Sequence, residues 1–235
     1  MPPDRDTVQP WLCDQTTQLL STVETFWDRD LTEDSTLPGW SWGHLLTHLA
    51  RNADALDNLL TWARTGVETP MYRSKQQRED DINAGAGRPG GVLLSDVADS
   101  AHRLQSAIAL LAAADWANTV VTAQGRTIPA AHVPWLRLRE VAVHHVDLGA
   151  SFDELPTDLA VALLDDVLTS LRSRPGWPPM QIDVTDGARG ICVGDEPPTH
   201  LSGTAAQLLG WLTGRTSADQ LIIASGVPPA LPAWL

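Results

Sequence analysis

Four segments within the first 150 residues place apolar side chains at close to 3.6-residue intervals, which commits most of the chain to long amphipathic helices. The first runs from about Thr7 to Arg29, with Val8, Trp11, Leu12, Leu19, Val23 and Phe26 on one stripe. Pro38 and Gly39 then force a turn, Ser41 caps a second helix, and Gly66 stops it. The polar stretch ETPMYRSKQQREDDINAGAGRPGG reads as a long loop. A third helix is expected near Leu94 to Ala114 and, after a connector containing AQGRTIP, a fourth near Ala130 to Leu148. Helices of this spacing imply an up-and-down four-helix bundle over residues 1–152.

From Pro156 the texture changes. A helix near Thr157 to Arg172 leads through the linker PGWPP to short β-like runs, MQIDVT and GICVG, with a DG turn between them. THLSG reads as another strand, TAAQLLGWLTG as a helix and LIIAS as a last strand. The expectation is an α+β protein whose residues 153–235 form a small α/β domain.

A formal net charge of −13 argues against a nucleic-acid partner, since the field repels phosphate. No apolar run is long enough to span a bilayer, and MPPDRDTVQP lacks the pattern of a secretory signal. Cys13 and Cys192 show no disulfide or CxxC spacing, so a cytoplasmic location is expected. Neither sits where a nucleophile would, so any thiol chemistry needs a thiol from outside the chain.

HLLTH places His44 and His48 on one face of the second helix, and EVAVHH places Glu140 and His144 on one face of the fourth. Two imidazoles and a carboxylate from facing helices can converge on a divalent metal, with a position left for water or substrate. Such pairs also occur as ordinary surface or capping residues. His145 points about 100° away from His144 and cannot share its ion. Asp147, one turn after His144, either orients that imidazole, acts on substrate, or faces solvent. Trp40, Trp42, Trp62 and Trp135 are assigned to packing. Arg126, Arg137, Arg139 and Arg215 stand out as cations able to grip an anionic substrate in an acidic protein.

PGWSWGHLLTHLARNA, TGVETPMY, TAQGRTIPA, WLRLREVAVHHVDLGA and LSGTAAQLLGWLTGR together resemble the mycothiol-dependent maleylpyruvate isomerases, whose N-terminal domain is of the DinB-like metal-binding type. The resemblance implies that His48, Glu140 and His144 are the metal ligands and that the metal is usually zinc. It also places Asp147 at an acidic active-site position and Arg215 at a pocket arginine. The implied cofactor is mycothiol and the implied substrate a small anion, maleylpyruvate, isomerised cis to trans within gentisate degradation. A double bond rotates only after its π character is lost, which reversible thiolate addition achieves. The alternative at the same site is a mycothiol S-transferase that releases a stable thioether, and a non-catalytic binding protein is the remaining rival.

Overall fold

The computed structural model describes residues 2–172, 176–187, 189–195 and 197–232. The chain divides into two compact units at Gly149/Ala150.

The N-terminal unit is helical. Its helices are α1 (Arg5–Glu24), α2 (Trp42–Thr65), α3 (Lys75–Ala86), α4 (Gly90–Leu110) and α5 (Val133–Asp147). The second is central: Leu45, Leu46, Leu49, Leu56, Leu59 and Leu60 are all fully buried, and it packs on α3, α4 and α5. A helix apolar on nearly every side is stable only when neighbours surround it.

Two parts depart from the expectation. Residues 75–86 form α3 rather than loop. Ser74 caps it through Gln77 N (3.0 Å), and Gln76–Asp80 and Gln77–Asp81 pair at i,i+4. Only Ile82, Gly85 and Ala86 are buried, so no apolar period marks it. It lies against α2 because two glycines allow the approach. A Cβ at Gly85 would run into Thr47, and one at Gly43 into the backbone oxygen of Ala86. The connector before α5 also folds, as a hairpin of β1 (Thr119–Val121) and β2 (Thr127–Pro129). AQGRT is its turn, where Gly125 adopts φ 77° and Thr122 N donates to Arg126 O (2.9 Å). The first helix ends at Glu24, short of the expected Arg29, and α4 lies about four residues earlier than its pattern indicated.

The C-terminal unit contains α6 (Thr157–Arg172), β3 (Met180–Val184), β4 (Arg189–Val193), β5 (Thr199–Gly203), α7 (Ala205–Leu212) and β6 (Ile222–Ser225). Residue 175 of the expected linker lies outside the described residues. The sheet order is β4-β3-β5-β6, with β3 parallel to β5 and the other pairs antiparallel. Alternation buries Met180, Ile182 and Val184 on one face, and α6 packs on α7. Helices and a small mixed sheet together make this an α+β protein.

Candidate metal centre

The site begins at the capped end of α2. Ser41 and His44 form a reciprocal capping box, with His44 Nδ1 2.7 Å from Ser41 Oγ. That employs His44 in the cap and leaves His48, one turn further on, to face α5. His145 is likewise occupied, its Nε2 lying 2.8 Å from Thr22 Oγ1 of α1.

Across from His48, the i,i+4 spacing presents Glu140 and His144 together. His48 Nε2 lies 3.1 Å from Glu140 Oε2 and 3.1 Å from His144 Nε2, and the third edge of this triangle is 3.6 Å. Ligands about 2.0–2.1 Å from a tetrahedral zinc lie roughly 3.3 Å apart, so the three donor atoms already stand at coordinating separation. Among the described residues this is the one cluster of His, Cys, Asp and Glu able to hold a metal ion.

Both imidazoles are buried. Burial pushes His48 down to about 4, with Glu140 opposing and Arg78 assisting, which keeps it neutral and able to ligate. Burial alone would raise Glu140, but the two imidazoles outweigh it and hold its carboxyl well below the usual range. His144 is also opposed by burial, yet Asp147 and Glu140 raise it above its ordinary value.

Asp147 is 2% exposed and its Oδ2 lies 2.8 Å from His144 Nδ1. That contact orients the ring with Nε2 toward the cluster. The register of α2 against α5 is held nearby by Arg137, 2% exposed, whose Nη1 donates to Leu49 O (2.9 Å) and Asn52 Oδ1 (2.8 Å). Burial lowers its guanidinium to about 10, still charged at neutral pH. Its role is therefore to join the two ligand-bearing helices. Arg126 is exposed in the hairpin turn and Arg139 half-buried on α5. Arg215 belongs to the C-terminal unit, where its Nη1 donates to Thr213 O (2.8 Å). Cys13 and Cys192 are exposed and unpaired.

Three neighbours of the site go beyond what the sequence indicates: Trp40, expected only to pack, and Arg78 and Tyr72, to which the sequence gives no role. Trp40 is half-buried beside the cluster rather than in the core, its ring 5.4 Å from that of His48. Arg78 of α3 donates from Nη2 to His48 Nδ1 (3.2 Å) and lies over the ring of Tyr72 (5.8 Å). The local signal was weak: Tyr72 stands in ETPMY, and Arg78 is one of several charges in a polar run.

Fold and site thus define a helical domain with a candidate metal centre between two of its helices, followed by a small α/β unit. The family model described as the mycothiol maleylpyruvate isomerase N-terminal domain matches residues 12–149, and that of the MDMPI C-terminal domain matches residues 154–233. The chain belongs to this family. Two solved structures are similar over 99% of this chain and 98% of theirs, each with a TM-score of 0.92. One is the mycothiol-dependent maleylpyruvate isomerase at 30% identity, the other a histidine-to-alanine mutant so described at 29%. No curated protein matches the chain. Among the described residues no helix is long and apolar enough to cross a membrane.

Proposed function

We propose that this protein is a mycothiol-dependent isomerase converting maleylpyruvate to fumarylpyruvate, with one divalent metal held by His48, Glu140 and His144. The observation that carries the reading is the triangle of donor atoms at 3.1, 3.1 and 3.6 Å, in a chain whose two halves both match the family. Two imidazoles and a carboxylate, a set that leaves the fourth tetrahedral position to water or substrate, favour zinc. When bound, the metal supplies Lewis acidity and keeps a thiol deprotonated, and mycothiol supplies the nucleophile that the exposed Cys13 and Cys192 do not.

The chain's own residues hold and orient. Burial keeps His48 neutral, Glu140 stays ionised, and Asp147 fixes His144. The cap at Ser41 and the Arg137 clamp keep the two ligand helices in register. Arg215 is assigned a substrate carboxylate, on the family resemblance. The unpaired cysteines accord with a reducing cytoplasm and the substrate with gentisate degradation. No observation favours the S-transferase alternative.

The test is turnover of maleylpyruvate by purified, zinc-loaded protein. Activity is expected only with mycothiol present, and the thiol is recovered unchanged. Isomerisation at full rate without thiol, or a stable thioether as product, refutes the proposal.

A further inference from the structure

The N-terminal unit uses its arginines carefully. Arg51, Arg88 and Arg103 pair with Asp54 and Asp96 in one network of ion pairs, at 2.7–2.8 Å. Arg78 differs. Half-buried on α3, it pairs with no carboxylate among the described residues and spends its Nη2 on the imidazole of His48 (3.2 Å).

That contact has a definite hydrogen-bond sense. A guanidinium only donates, so His48 Nδ1 accepts, and the one hydrogen of the neutral ring sits on Nε2. There it points at Glu140 Oε2 and His144 Nε2, each 3.1 Å away. A nitrogen that ligates a metal carries no hydrogen. Ligation through Nε2 moves that hydrogen to Nδ1, where it would meet Arg78 donor to donor. A cation beside a dication is also unfavourable until an anion joins them. Arg78 and the metal therefore compete for His48, and an anion bound by Arg78 relieves the competition.

We propose that Arg78 is a carboxylate-binding residue of the active site, one that releases His48 when the metal is held and takes a carboxylate of the substrate. The proposal rests on the metal reading above. Maleylpyruvate carries two carboxylates, and the resemblance accounts for one cation, Arg215. Two further features place Arg78 well. Arg78 lies over the ring of Tyr72 and reaches the imidazole of His48, so the pair borders the ligand cluster. The close approach at Gly43 and Gly85 holds α3 against the turn of α2 that bears His48. Arg is the side chain whose planar fork matches a carboxylate in two places.

The experiment measures zinc affinity by chelator competition, with and without saturating maleate as a dicarboxylate probe, in wild type, Arg78→Met and Arg78→Lys. In the wild type, maleate tightens zinc binding by at least about fivefold, and zinc tightens maleate by the same factor. Arg78→Met binds zinc at least as tightly as the wild type and loses the coupling. Arg78→Lys keeps the charge and the packing of the stem and retains part of the coupling. Full coupling in Arg78→Met, or weaker zinc binding in both variants than in the wild type, overturns the assignment. A wild type that binds zinc but shows no response to maleate overturns it too and leaves the metal reading intact. Failure of the wild type to bind zinc at all overturns the metal reading, and this proposal with it.

Discussion

Replacing Asp147 by Asn tests how much of the metal affinity depends on a residue that is no ligand. Asp147 is 2% exposed and its Oδ2 lies 2.8 Å from His144 Nδ1, so solvent does not screen the contact. An amide oxygen can still accept from Nδ1–H, so the ring keeps its direction and only the charge is lost. Hydrogen bonds to charged groups contribute about 1.5–3 kcal/mol, against about 0.5–1.5 kcal/mol for neutral ones. The difference, about 1–1.5 kcal/mol, corresponds to about tenfold weaker zinc binding. That lies at the lower end of the roughly 10–100-fold usual for partners of metal-bound histidine. Competition against a chromophoric chelator at neutral pH measures it, with the melting temperature of the metal-free protein as a control on folding. Zinc affinity within about twofold of the wild type would show that Asp147 does not act through His144.

His48→Ala removes one of three ligands, so zinc and isomerase activity are expected to disappear together. Losing a Lewis acid worth several kcal/mol lowers turnover by roughly a thousandfold, checked by metal analysis and assay on the same sample. Zinc affinity should fall with acid through the titration of His144, whose raised pKa makes protons compete with the metal there before they compete at His48, near 4. Binding that held constant down to about pH 5 would contradict this order. Gly43→Ala sets a Cβ against the backbone oxygens of Ala86 and Leu31, neither of which can swing aside. It should cost about 1–3 kcal/mol in unfolding free energy, read from denaturant titration.

The legibility of the site follows the range of the interactions. Glu140 and His144 fall on one face because the α-helix returns every 3.6 residues, and that is visible in EVAVHH without any partner. The cap at Ser41 and the stop at Gly66 are equally local, and both stand in the structure. Segment α3 was not legible, since it is held by a cap, side-chain pairs and close packing rather than by an apolar stripe. Arg137 was noticed as a cation for substrate, whereas its partners Leu49 and Asn52 lie 88 and 85 residues away.

By itself, then, the sequence determined roughly where the long helices other than α3 run, the change to an α/β texture after Pro156 and which residues could ligate a metal. Those are properties of short stretches, set by backbone periodicity and capping chemistry. Only the tertiary structure decided that His48 rather than His44 meets α5, that Asp147 serves His144, and that Arg78 reaches His48. Each of those depends on helices distant in sequence packing in one register, through buried leucines, two glycines and one buried arginine.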